Sequence, residues 1–531
     1  MSKRKGLMLD CSRNAVKNIF TLKKIVDLSS ELDFTSLYLY MEDVYELEDE
    51  PFFGHMRGRF SSKELKDLDS YANKHKIEII PCIQTLAHLN QIFPYNCYKN
   101  IRDWDDILLV NNEKTYNLIE KMFSFIKKTF KTKFVNVGMD EAYMFARGNY
   151  LRFNPFETKI KVFLKHLSRV NEIAKKYELE IGIYSDSLLG FEQRIKTPNI
   201  KKEVQNNIPK NLTLINWDYY SPDYKHYAYN LKKHLEIKNT KVMFACGIWT
   251  WTGFAPNNVL AIGTLGPGIK AAVDCGVEDI MITAWGDDGA ECSIFSALPS
   301  IFYASCLLKN ITNMDEIKRN FKSKFKIDFD DFMKTDILNQ LGQKNVLANP
   351  SKYFLYNDPF IGLFDENVPP NCNSIYKKHS LTLKKLMLKS KEYKYVFEKL
   401  YGLAEVLSIK ADLGVRTHKA YLKKDFKSIK QIIKDFDLCK KKLNVFLESF
   451  RNEWFKENKA FGFEIQEIRI GGLIARLESC KSRLEKYLKH EIKTIPELEE
   501  KRYLYARTCY EQDKKIPLVN LYNEMISTSK L

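Results

Sequence analysis

Short apolar, β-branched runs recur along the first 290 residues at intervals a single helix can bridge. They are GLMLD (6–10), SLYLYMED (36–43), IEIIPCIQT (77–85), FVNVGMDE (134–141), EIGIYSD (180–186), LTLINWDYY (212–220), KVMFACGIW (241–249) and DIMITAWGD (279–287). Hydrophobicity in them is nearly continuous and not alternating, as in parallel strands covered on both faces. Between them, SSKELKDLDSYANKH (61–75) opens with Ser61 and Glu64 at capping-box spacing. EKTYNLIEKMFSFIKKTF (113–130) and TKIKVFLKHLSRVNEIAKKYE (158–178) carry the i, i+3, i+4 recurrence of sheet-packing helices. The connection 187–211 is weaker in pattern and is expected to be only partly helical.

Eight strands alternating with helices predict an α/β fold, a (β/α)8 TIM barrel. A doubly wound open sheet is the rival, but no glycine-rich phosphate loop follows the first strand. After about residue 315 the strand pattern stops and helical patterns take over, as in GLIARLESCKSRLEKYLKH (472–490). The predicted organisation is therefore a catalytic barrel over 1–315 and an all-α C-terminal domain over 316–531. The stretch 356–371, rich in Pro, Asn and Asp, reads as a linker-like loop inside the second domain.

Composition narrows the function classes. The chain has 531 residues and a net charge of +17, which raises nucleic acid as a partner. After residue 320 there are 41 basic and 28 acidic residues, so most of the surplus lies in the helical region. It is mainly lysine interleaved with acids, as in KKHSLTLKKLMLKSKEYKYVFEKL (377–400), which reads as solvated helix faces and not as a nucleic-acid footprint. The basic N-terminus is followed by no apolar leader, and no apolar run approaches the length of a membrane span, so a cytoplasmic location without membrane association is expected. Eleven scattered cysteines without C-x-x-C spacing and nine histidines without H-E-x-x-H predict no disulfide framework, no metal and no cofactor.

Working residues of a barrel sit at the C-terminal ends of its strands. Here those ends carry Asp10 and Arg13, Glu42 and Asp43, Gln84 and His88, Asp140 and Glu141, then Asp186. Trp217, Asp218, Tyr219 and Tyr220 follow, then Trp249 and Trp251, and finally Trp285, Asp287 and Asp288. Four of the six tryptophans lie at three of these ends. A polar ring with aromatic walls suits a sugar, whose C–H faces stack on rings while its hydroxyls take hydrogen bonds. A pair of carboxyl groups fits glycoside cleavage, one protonating the leaving oxygen and one stabilising the anomeric centre. Acids on adjacent residues can both face one pocket only where the strand frays, and they repel unless one stays protonated.

The motif GMDEA (138–142) resembles the catalytic motif of glycoside hydrolase family 20, the β-N-acetylhexosaminidases. LYMEDVYELEDEPFFGHMRGRFSSKEL, IPCIQTLAHLN, WTWTGFAPNN and WGDDGAECS are similar to its hexosaminidase D-like branch. The likeness runs from LDCSRNA through the barrel into NDPFIGLFD and IRIGGLIARLES. It implies removal of terminal non-reducing β-linked GlcNAc or GalNAc from β-N-acetylhexosaminide glycans by substrate-assisted retention. In that mechanism the sugar's own acetamido oxygen attacks the anomeric carbon and forms an oxazolinium ion. Asp140 would orient the acetamido group through its N–H, while Glu141 would protonate the leaving oxygen and then activate water. The resemblance further implies Arg13, held by Asp10, on the 3- and 4-hydroxyls, Trp285 under the sugar, and Asp287 on the 4- or 6-hydroxyl. Trp217 and Trp249 would wall the acetamido methyl. Tyr219, with Tyr220 as the alternative, would hold the acetamido oxygen.

Plainer roles stand beside these. Asp140–Glu141 could be an acid pair at a helix start, Arg13 a structural partner of Asp10, and His88 a core histidine. Glu42 could orient Arg13 or a neighbouring loop, and Asp186 could be a strand-end cap or a partner that supports a residue of the site from behind. The enzymatic alternative is a conventional retaining β-glycosidase with Asp218 or Asp186 as nucleophile, and the non-enzymatic one is an inactive carbohydrate-binding protein. A helical domain of this size could support a homodimer.

Overall fold

The computed structural model describes residues 4–189, 202–341, 349–505 and 521–529. All eight expected strands form: β1 (Lys5–Asp10), β2 (Ser36–Glu42), β3 (Glu78–Ile83), β4 (Phe134–Asn136), β5 (Glu180–Tyr184), β6 (Thr213–Trp217), β7 (Lys241–Gly247) and β8 (Asp279–Ala284). Each pairs in parallel with the next, and β8 pairs with β1 to close the barrel, so the open-sheet rival is excluded. Closure removes the sheet edge and buries the strands on both faces, which is why their sequences read as unbroken apolar runs. All seven residues of β2 are buried.

The connecting helices follow the amphipathic pattern. Helix Ser62–Lys74 opens with both hydrogen bonds of the expected capping box between Ser61 and Glu64. Glu113–Thr129 and Lys159–Lys176 bury one face and leave lysines on the other. Within the weak fifth connection the structure has the short helices Asp186–Leu189 and Lys202–Asn207, and the remainder, 190–201, lies outside the described residues.

The chain divides into two compact units. The first holds the barrel and comprises residues 1–248, 261–285 and 301–312. The second comprises 249–260, 286–300 and 313–531, so the helical unit also takes in the two segments that follow β7 and β8. Its core is aromatic: Phe254, Phe446, Phe450 and Trp454 make ring contacts along and beside the long helix Phe426–Glu457, and Phe463 opens helix Phe463–Leu488 against them.

Two readings of this unit need correction. The stretch 356–371 is irregular but mostly buried, with Asp358 bound to Arg476 at 2.6 Å, so it is packed structure and no linker. The lysine-rich helices are also not uniformly solvated. Lys399, within the run 377–400, is buried against Glu453 and donates to the Glu291 carbonyl at 2.8 Å. A buried ammonium persists only when paired and hydrogen-bonded, and a sequence pattern of charges does not reveal the partner. No helix among the described residues is long and apolar enough to cross a membrane.

Candidate active site

The barrel unit gathers most of the predicted strand-end residues into one connected network, and local backbone geometry explains how. β4 stops at Asn136, and the next five residues are irregular, with Gly138, Met139 and Glu141 at φ of +69°, +68° and +51°. Side-chain alternation therefore ends before the acid pair, and Asp140 and Glu141 are released from pointing to opposite faces. No helix starts at this pair; the next helical turn is Tyr150–Phe153, which removes the helix-start role. Glu42 and His88 also lie in the left-handed region, at φ +43° and +56°. Such conformations cost roughly 1–3 kcal/mol each for residues with a side chain, and they cluster at sites where the surroundings impose them. At Glu42 the cause is visible: the β2–β3 register shifts between Tyr40 and Glu42, and a bulge there re-aims the side chain at the barrel rim.

Asp140 is buried and held from two sides. His88 Nε2 stands 3.3 Å from its Oδ2, and Gln84 Nε2 donates to its Oδ1 at 2.8 Å. Burial alone would raise the Asp140 pKa, but the His88 charge and the bonds from His88 and Gln84 outweigh it and hold the carboxyl below its ordinary range. For His88 burial works downward, and Asp140 overcomes it and pushes the imidazole up to about 9. Glu141 Oε2 is 3.9 Å from the same His88 nitrogen, and its side chain is 39% exposed, so it reaches solvent. Tyr143 donates its hydroxyl to Glu141 Oε1 at 3.4 Å.

The network continues to Arg13. Gln84 Nε2 also donates to the Tyr40 hydroxyl at 2.8 Å, and Tyr40 donates to Glu42 at 3.1 Å. Arg13 binds Glu42 at 3.0 Å and Asp10 at 3.1 Å, and its guanidinium lies 5.0 Å from the Tyr40 ring centre and 5.4 Å from that of Trp285. Asp10 and Glu42 thus fix Arg13 as a fork over an aromatic floor. Burial raises the Glu42 pKa, against the pull of Arg13. Trp285 meets Tyr40 edge-on at 4.7 Å and donates its indole N–H to the Tyr219 hydroxyl at 3.0 Å. Trp217 stacks on Tyr219 at 5.5 Å. Tyr219 is buried, whereas Tyr220 is 54% exposed.

Asp186 turns out to be more than a strand-end cap. Its Oδ2 accepts the backbone N–H of Glu141 at 2.9 Å, and its Oδ1 accepts the Trp217 indole N–H at 3.3 Å. Burial first, then the Asp140 charge, push its carboxyl up to about 7. With both oxygens engaged and a proton bound through part of the neutral range, it is a poor nucleophile. Asp218 is engaged too, with His226 on one oxygen and the Tyr220 N–H on the other. Gln84 and Tyr40 join three of the predicted residues and had no assigned role in the sequence. The available signal was a glutamine closing an otherwise apolar strand.

Trp249 and Asp287 fall in the second unit. Trp249 stacks on Trp251 at 4.8 Å, and Asp287 sits at φ +28° in the turn after β8. Its neighbour Asp288, an acid of the predicted ring, is committed to Lys352 at 3.3 Å and Arg469 at 2.8 Å, which with Glu291 form a buried ion-pair cluster. Among the described residues no group of three or more His, Cys, Asp or Glu side chains is arranged to hold a metal ion.

Known protein families match this chain in two regions. The family model for the glycosyl hydrolase family 20 catalytic domain matches residues 3–245, and that for the glycoside hydrolase 20C C-terminal domain matches 330–517. Hexosaminidase D of Bos taurus is 22% identical over 191 residues, 33% of this chain and 54% of that protein. The beta-hexosaminidase subunit beta of Entamoeba histolytica is 24% identical over 161 residues, 26% of this chain and 28% of that one. The chain thus spans about half the length of the first relative and less than a third of the second. Among solved structures, Flavobacterium johnsoniae chitobiase aligns with a TM-score of 0.47 at 14% identity, over 81% of this chain and 74% of that one. The beta-N-acetylhexosaminidase of Bacteroides fragilis aligns with a TM-score of 0.46 at 16% identity, over 61% and 69%. Two models of one family, catalytic and C-terminal, match in order and together take in most of the sequence, and the chain belongs to glycoside hydrolase family 20.

Proposed function

We propose that this chain is an exo-β-N-acetylhexosaminidase that removes terminal β-linked GlcNAc or GalNAc with the substrate's acetamido group as nucleophile. The observation that carries the reading is the asymmetry of the acid pair. Asp140 is buried and held ionised by His88 and Gln84, while the adjacent Glu141 is more than a third exposed and reaches solvent. An ionised carboxylate beside the sugar accepts the acetamido N–H, turning the carbonyl oxygen toward the anomeric carbon and stabilising the positive charge that develops. As that oxygen bonds to the anomeric carbon, the glycosidic C–O bond breaks and Glu141 gives its proton to the leaving oxygen. Glu141 then takes a proton from water as the water opens the oxazolinium on the same face. Holding the internal nucleophile in near-attack geometry is proximity catalysis.

Arg13 is fixed to bind two adjacent sugar hydroxyls, and Trp285 offers its indole face to the C–H side of the ring. Trp217 and Tyr219 fit the acetamido group from the other side, with the Tyr219 hydroxyl on its carbonyl. Glu141→Gln should reduce hydrolysis of an aryl β-N-acetylglucosaminide by at least a thousandfold, and a thiazoline mimic of the oxazolinium should inhibit the wild type. Wild-type turnover by Glu141→Gln, or a trapped glycosyl ester on Asp186 or Asp218, would overturn the reading.

A further inference from the structure

Beside the two loops that carry His88 and the acid pair lies a hollow of about 370 Å³ lined by Lys99, Arg102, Asp103, Trp104, Asp105 and Asn149. A second hollow of about 270 Å³ shares Lys99, Arg102 and Asn149 and adds Lys114, Arg152 and Phe153. Their place relative to the acid pair is fixed by hydrogen bonds. Asp106 accepts the backbone N–H of His88 at 3.2 Å. Asp103 accepts those of Ala146 and Tyr150 at 2.8 and 2.7 Å. The turn 102–106 therefore clips the His88 loop to the segment that follows Glu141.

The lining is cationic and its acids are spent. Asp103 is buried and devoted to backbone N–H groups, and Asp105 pairs with Arg102 at 2.6 Å. That pair is exposed on both sides, so it is weak and yields readily to a ligand. Lys99 and Lys114 have no acidic partner within 4 Å among the described residues, and Arg152 touches only the Asn149 side-chain oxygen at 3.3 Å. Between these cations stand two exposed rings, Trp104 at 40% and Phe153 at 72%. An exposed indole with available cations around it recognises a sugar ring that carries an acidic group, by stacking and charge-assisted hydrogen bonds together.

We propose that these two adjoining hollows form a subsite for an anionic sugar unit on the leaving-group side of the scissile bond, a pyranose bearing a carboxylate or a sulfate. The proposal rests on the hydrolase reading for its placement, though not for its binding chemistry. The test uses β-linked N-acetylglucosaminyl disaccharides whose second sugar is glucose, glucuronic acid or glucose 6-sulfate. The wild type should cleave the acidic ones with a kcat/KM at least fivefold above the neutral one, and added salt should erase the advantage. Lys99→Gln, Lys114→Gln and Arg152→Gln combined should abolish it while leaving aryl β-N-acetylglucosaminide turnover unchanged.

Equal charge removed from exposed positions of helix Phe426–Glu457, by Lys430→Gln, Lys434→Gln and Lys441→Gln, should leave the preference intact. A preference for one acidic sugar alone identifies carboxylate or sulfate as the group read. No acidic preference, or one lost equally in both triple variants, would overturn the proposal. Calorimetric binding of the sulfated and neutral disaccharides to Glu141→Gln separates the two readings: if the variant binds the sulfated sugar through Lys99, Lys114 and Arg152 while the wild type hydrolyses nothing, the hydrolase is refuted and the subsite kept.

Discussion

Replacing Gln84 by methionine tests whether the buried network serves the chemistry or only fills space. The side chain is fully buried and makes three hydrogen bonds: its amide N–H groups go to Asp140 and to the Tyr40 hydroxyl, both at 2.8 Å, and its oxygen accepts the Met139 N–H at 3.2 Å. Methionine is similar in length and apolar, so it keeps the volume and removes all three. The bond to Asp140 is charge-assisted and worth about 1.5–3 kcal/mol. At about 1.4 kcal/mol per factor of ten, losing it where Asp140 must stay ionised and oriented lowers kcat by roughly ten- to a hundredfold.

A sign follows as well. Gln84 is among the groups that hold the Asp140 pKa down, so its removal lets burial push that pKa up. The acid limb of the kcat profile should move to higher pH. The assay is hydrolysis of an aryl β-N-acetylglucosaminide across pH, with circular dichroism to establish that the variant is folded. A folded Gln84→Met that keeps kcat within twofold of wild type, with an unmoved acid limb, would refute the argument and reduce Gln84 to packing.

Two further outcomes are expected. Gly138→Ala should cost activity and stability together, because φ is +69° there and an added Cβ would lie 2.1 Å from the Gln84 side-chain oxygen; a melting temperature and kcat both equal to wild type would contradict this. His88 is raised in the folded state, so its pairing with Asp140 stabilises fully below the unfolded histidine value of about 6.5 and is lost as pH rises through about 9. The stability difference between wild type and His88→Gln should therefore shrink between those limits, and a constant difference across that window would show that His88 carries no charge of consequence.

The barrel was legible because its strands are buried on both faces, and continuous apolar runs mark them without alignment or template. Their ends were less legible. FVNVGMDE reads as one strand to Glu141, yet β4 ends at Asn136, because the left-handed residues that follow are a property of the loop's surroundings and not of the residues' own preferences. The same overshoot occurs at β6 and β7, read to 220 and 249 but ending at Trp217 and Gly247. For function the overshoot did little harm, since residues at or past the ends of β1 to β6, with Trp285 past β8, are the ones that the hydrogen-bonded network joins.

What the sequence could not supply is pairing. Gln84 meets Asp140 across 56 positions and Tyr40 across 44, and nothing local to any of them announces the others. The same gap explains Lys399: its spacing within a basic run suggests water, and only the fold brings Glu453 to it. Asp186 shows the limit most clearly. As one acid among several at strand ends, it invites a choice among cap, supporting partner and nucleophile. In the structure it accepts the backbone N–H of Glu141, so its carboxyl group holds that residue by the backbone. Under the proposed reading the nucleophile belongs to the substrate, and the remaining strand-end acids of the network are then free to hold their neighbours: Asp140 pairs with His88, Asp10 and Glu42 with Arg13, Asp186 with Trp217 and Asp218 with His226.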